Sequence, residues 1–184
     1  MVKFIAADVS MAEFHKLGFD GTGVVKASRA DSRMKSTAFT YQSGASDYDR
    51  IAGYIAAHFG DFSDCLAFAS SRALGDFTNG IAVRPDWIEY AAGRARHGAA
   101  APLDLEPGHR FGAGEGAELR QLIRSALSLG WDMLLKADTT KTVVRLSHDD
   151  RIELYYLSSP AELKAKLAET CEPALWFDPR RHFS

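Results

Sequence analysis

Cysteine is scarce in this chain, and the patterns that would give it a special role are missing. Cys65 and Cys171 lie far apart and show no CxxC spacing. That excludes a disulfide scaffold and a thiolate zinc site, and it predicts two reduced, at least partly buried thiols. Long apolar runs are lacking too. Phe4-Ile5-Ala6-Ala7 is interrupted by Asp8 before it reaches the length of a signal-peptide core, and no stretch approaches the ~20 residues of a membrane helix. The expectation is a cytoplasmic protein with no membrane partner. Charge of one sign is not in excess: 22 Lys and Arg stand against 24 Asp and Glu, a formal net charge of -2. The bulk electrostatic signature of a nucleic-acid binder is therefore absent. The best local basic cluster, Lys26, Arg29, Arg33 and Lys35, is diluted by Asp31 and reads as a solvated loop. Motifs of catalysis are missing as well: there is no GxSxG, HExxH, SxxK or GxxxxGK[ST], and Ser70-Ser71 has no companion pattern. No cofactor and no metal site is expected.

What is present has the balance of an ordinary globular chain, with 184 residues, 46% hydrophobic and 25% charged. That length suits one domain spanning residues 1-184. Its most readable part runs from Glu115 to Thr170. Leu119, Leu122, Ile123, Ala126 and Leu127 have the one-face spacing of an amphipathic helix that stops at Gly130. The period then changes. Trp131 to Ala137, Thr142 to Leu146 and Arg151 to Leu157 read as three strands, joined by Asp138-Thr139-Thr140-Lys141 and Ser147-His148-Asp149-Asp150. Ser159-Pro160-Ala161-Glu162 then carries the capping box and helix-start proline of a closing helix.

The amino-terminal half is read in the same way. Val2 to Val9 is expected as a strand, with Ser10 capping a short helix that ends at Gly18. Val24 to Ala27 and Thr37 to Tyr41 are strand candidates. A helix follows from Ser46 to Phe59 on the stripe Tyr48, Ile51, Ala52, Ile55 and Phe59. Cys65 to Ala69 and Ile81 to Val83 are further strand candidates, and Pro85-Asp86 opens a helix that ends near Gly98. Residues 99-116 shift to Ala, Pro and Gly without a period and read as a long loop, while 178-184 reads as a mobile tail behind Leu175, Trp176 and Phe177. The fold class that results is α+β: one compact domain with helices covering one face of a mainly antiparallel sheet.

Four groups of residues can carry function. The turn at Ser147 presents His148, Asp149 and Asp150, whose side chains suit proton transfer or metal binding and also suit the backbone bonds of a tight turn. His109-Arg110-Phe111-Gly112-Ala113-Gly114-Glu115-Gly116 feeds a helix start whose amides could hold a phosphate beside Arg110, although Glu115 adds a like charge and no hydrophobic strand is evident before it. Arg29, Arg33, Arg94 and Arg96 are arginines whose convergence the sequence leaves open. Alternation puts Arg151, Glu153 and Tyr155 on one strand face, a composition that suits a solvated face and also a protein interface. The reading drawn from these is a small binding protein acting through protein-protein recognition, as an inhibitor, immunity-type or regulatory protein. Its binding residues are Arg151, Glu153, Tyr155 and Arg110, and its partner is another protein rather than nucleic acid. The alternative is a hydrolase or transferase acting on a phosphorylated or nucleotide substrate, with His148, Asp149 and Asp150 as catalytic residues.

Overall fold

A computed structural model describes residues 1-19, 33-42, 44-59, 64-69, 84-99, 101-103 and 105-174. The strand readings at 24-27 and 81-83, Lys26, Arg29, Ser70-Ser71 and the tail from Leu175 lie outside the described residues.

In chain order the elements are β1 (Lys3–Ile5), α1 (Ala7–His15), β2 (Lys35–Thr40), α2 (Ala45–Phe59), β3 (Cys65–Ala69), α3 (Pro85–Arg96), β4 (Gly108–Phe111), α4 (Gly116–Leu129), β5 (Met133–Ala137), β6 (Thr142–Ser147), β7 (Arg151–Tyr156), α5 (Ala161–Ala168) and β8 (Glu172–Pro173). The strands form one antiparallel sheet in the order β1-β4-β3-β5-β6-β7-β2-β8. Five helices among the described residues pack on it, so the chain is an α+β domain.

The local signals do most of this. The stripe of α4 is buried at Leu119, Leu122, Ile123, Ala126 and Leu127, and Gly130 closes the helix at φ 66, where a residue without Cβ fits without strain. β5, β6 and β7 follow as a meander whose register pairs Leu135 with Val144 and Val144 with Leu154. β3 is buried at every residue because it lies inside the sheet with both faces covered, which is why its sequence has no period of two.

Several boundaries differ from the sequence reading. The first strand stops at Ile5, and Ser10 lies inside α1, where its hydroxyl donates to Ala6 O at 2.8 Å instead of capping the helix. The capping box at Ser159 does not form either: α5 starts after Pro160 with no side-chain cap bond. The long loop at 99-116 contains β4, which pairs with both β1 and β3. Only four residues long and carrying His109 and Arg110, that strand has too little apolar pattern to be read locally.

The helices do not share one face. Residues of α2, α3, α4 and α5 join the larger core with Phe39, Ala67, Leu135, Val144 and Leu154. Met11 and Phe14 of α1 join Phe19, Leu66, Phe68, Leu134, Val143 and Tyr155 on the opposite face. An ion pair from Glu13 to Lys136 at 3.3 Å fastens α1 there.

Candidate functional site

The row Arg151, Glu153 and Tyr155 lies on one face of β7, as alternation requires, but that face is covered. Glu153 is 1% and Tyr155 2% exposed, and Phe19 meets the Tyr155 ring edge-on at 5.1 Å. The expected solvated face is thereby corrected: alternation fixes which residues share a face, whereas packing of the second apolar cluster, with Phe19 on Tyr155, leaves this one buried. Its polar groups are satisfied internally. Arg145, directly opposite Glu153 on β6, donates from Nη1 to both carboxylate oxygens at 2.8 and 2.9 Å. The Tyr155 hydroxyl donates to Glu153 Oε2 at 2.8 Å. Burial, and then the Glu153 charge, push the Tyr155 phenol far above its usual range, so it stays protonated and donating.

This network runs on to the β6-β7 turn. Buried Asp132 lies 3.6 Å from Arg145 Nη2 and accepts from His148 Nδ1 at 2.8 Å and from the His148 amide at 3.3 Å. The His148 side chain is 52% exposed, with Nε2 3.3 Å from Asp149 Oδ1. Asp132 thus orients an imidazole whose far edge reaches the surface. Asp149 and Asp150 have turn roles: the Asp149 amide donates to Ser147 Oγ at 3.3 Å, and Asp150 takes φ 55 while its carbonyl accepts from the Tyr41 amide. Among the described residues no group of three or more His, Cys, Asp or Glu is placed to hold a metal ion.

The glycine-rich run is also partly answered. β4 takes in His109 to Phe111 and so precedes the glycines of the run, and the Glu115 carboxylate accepts from the Gly112 amide at 2.7 Å, so this acid occupies an amide that a phosphate would use. Arg110 points to the face of the sheet opposite His109 and pairs with Asp64 at 3.4 Å. It and His148 lie three strands apart and near different ends of those strands. They do not meet.

The residues that do converge lie between α3, α4 and the β1-β4 edge, around a cleft of about 250 Å³. Val2, Phe4, Phe111 and Leu122 give it apolar walls, and Tyr90, Arg94 and His109 are its deep polar residues. His109 Nδ1 lies 3.0 Å from Pro107 O, and a carbonyl can only accept, so Nδ1 carries the proton. Nε2 therefore accepts from the Tyr90 hydroxyl at 2.6 Å. Burial, and then the Arg94 charge, push the His109 imidazole down to about 3, which keeps it neutral. Burial pushes the Tyr90 phenol up to about 12, with Arg94 pulling the other way. Arg94 spans the loop after α3, donating to Glu106 O at 3.2 Å and Ala101 O at 2.8 Å, and its guanidinium lies 4.4 Å from the centre of the Phe4 ring. Exposed Glu89, Arg96 and Ala117 lie at the mouth.

Of the four arginines named from sequence, Arg94 and Arg96 line this cleft. Asp132, Tyr90 and the buried role of His109 carry no local signal. Arg145 does carry one: the turn at 147-150 sets a register that puts it opposite Glu153, a cross-strand charge pair. Both cysteines are buried and free, and burial raises their thiols to about 12 for Cys65 and about 11 for Cys171, so neither is a ready thiolate. Among the described residues no helix is long and apolar enough to cross a membrane. No family model, no curated protein and no solved structure matches this chain.

Proposed function

We propose that this protein acts by recognising another protein, as an inhibitor, immunity-type or regulatory partner, and that the cleft between α3, α4 and β4 receives one side chain of that partner. The observation that carries this reading is the cleft's size and make-up. At about 250 Å³ it is smaller than the ~300–1,000 Å³ of pockets that enclose whole small ligands. Its apolar walls, polar base and charged, exposed rim have the composition of a pocket for a single anchor residue. The two buried free cysteines support a reducing, cytoplasmic setting for that encounter.

Ala117 is exposed at the mouth, so Ala117→Trp should block the cleft without disturbing the core. Affinity capture from the cells that make the protein should yield a stoichiometric protein partner with the unaltered chain and lose it with Ala117→Trp. Equal capture by both would remove the cleft from the interface.

A second reading rests on the Asp132-His148 pair, in which a buried carboxylate orients an exposed imidazole as a general base would require. It is a hydrolase or transferase acting on a phosphorylated or nucleotide substrate. It expects His148→Ala to abolish turnover of such a substrate while the variant still folds, losing about 1–3 kcal/mol because buried Asp132 keeps only the residue-148 amide and Arg145.

A further inference from the structure

Arg94 is 8% exposed and lines the cleft, yet it has no carboxylate partner among the described residues. Among the described residues its partners are all neutral: two carbonyl oxygens, the Tyr90 hydroxyl at 3.5 Å, His109 Nε2 at 3.5 Å and the face of Phe4. These groups solvate a guanidinium but leave its charge uncancelled, and a buried charge is costly until it is paired. The histidine beside it is held neutral, so no second buried cation competes for an anion. At the mouth, Arg96 also has no carboxylate partner among the described residues. The two acids there are already placed against bases: Glu118 lies 3.9 Å from His97, and Glu89 lies 4.0 Å from Arg124.

We infer that the cleft is a carboxylate-binding site, in which Arg94 pairs with an aspartate or glutamate side chain of the partner protein. This rests on the protein-recognition reading above and names the chemistry of the anchor. Phe4 covers one face of the guanidinium and Nη1 is taken up by Glu106 O, Tyr90 and His109, so the edge offered to a planar, bidentate carboxylate is the Nε–Nη2 side, where Ala101 O is the one acceptor among the described residues. The apolar walls at Val2, Phe111 and Leu122 suit the methylene stem that brings an acidic head to that depth. A phosphate dianion would meet Glu89 and Glu118 at the rim with twice the charge of a carboxylate, so the rim favours the monoanion.

The test is a nuclear magnetic resonance titration of the full chain, reading the Arg94 Nε–H and the amides of Gly93 and Ala117. Its probes are N-acetyl-glutamate α-amide, the matching glutamine compound, N-acetyl-phenylalanine with a free chain-end carboxylate, and inorganic phosphate. The expected result is saturable binding of the glutamate compound with a dissociation constant in the millimolar range, about what so small a probe can reach. The glutamine compound should bind at least tenfold more weakly. Binding should be lost in Ala117→Trp and weakened about tenfold in Arg94→Lys, which keeps the charge but not the fork. If Arg94→Lys fails to fold, the loss in Ala117→Trp decides the location.

Equal shifts with the glutamate and glutamine compounds, or no saturation, would overturn the inference. So would tighter binding of phosphate or of the chain-end carboxylate at the same residues. The two readings separate cleanly. Failure of the glutamate probe with cleft-dependent capture of a partner would remove the acidic anchor alone. Carboxylate binding with capture indifferent to Ala117→Trp would remove the protein partner and leave the site.

Discussion

Glu153 shows what a single buried charge does in this protein. It accepts from Arg145 and Tyr155 with almost no solvent to replace them. Glu153→Gln should therefore leave Arg145 with only the longer contact to Asp132 at 3.6 Å and cost about 3 kcal/mol. Tyr155→Phe leaves the ion pair intact and should cost about 1–2 kcal/mol. Urea midpoints read at unchanged m-value test both, and a Glu153→Gln cost no larger than that of Tyr155→Phe would contradict the pairing. His109 makes the protein sensitive to acid instead. Its folded pKa is depressed below the unfolded value of 6.5, so the unfolded chain binds the extra proton. Its contribution is complete above about pH 6.5 and is lost as the pH falls toward about 3. From about pH 7 to about pH 5 it should remove about 2 kcal/mol, and His109→Gln, which does not titrate, should lose that much less over the same interval. Of these residues, the sequence reading has only the shared face of Glu153 and Tyr155; it misses Arg145, although the turn at 147-150 sets the register that puts it opposite Glu153. Tyr90 meets His109 through an interval of 19 residues that carries no pairing signal.

Elements are joined here by close contacts as well as by hydrogen bonds. A Cβ on Gly108 would lie 2.6 Å from Ser10 Cβ, 2.8 Å from Ser10 Oγ and 2.9 Å from Ile5 O, so β4, α1 and β1 come together only around a glycine. Gly108→Ala should destabilise by about 1–3 kcal/mol, the usual cost of overpacking. Adding Ser10→Gly removes two of those three contacts, so the double variant should be more stable than the sum of the single effects predicts. Strict additivity would show that the approach is not what selects glycine. The same contact is why the sequence reading of Ser10 as a cap fails. Its place inside α1 follows from packing against a strand whose partner residue lies 98 positions later.

For the whole molecule, the sheet is a shared wall between two apolar clusters, one around α2 and α4 and one around α1. Because β3, β5, β6 and β7 contribute to both, the two clusters are expected to unfold together. Ile55→Ala on one side and Phe14→Ala on the other should each cost about 2–5 kcal/mol. Both should move one cooperative transition seen equally by fluorescence and far-ultraviolet circular dichroism. Separate transitions by the two probes would show that α1 and its cluster unfold independently.

The sequence by itself determined α4 and the β5-β6-β7 meander and which residues share a strand face, because helical stripes, strand alternation, the turns at 138-141 and 147-150 and the stop at Gly130 act over a few neighbouring residues. Only the tertiary structure decided that the Glu153 and Tyr155 row is buried, with Phe19 against Tyr155, that β4 enters the sheet between β1 and β3, and that Tyr90, Arg94 and His109 share a cleft. Those outcomes depend on pairing between distant segments, and short-range periodicity carries no record of which segment will cover which face.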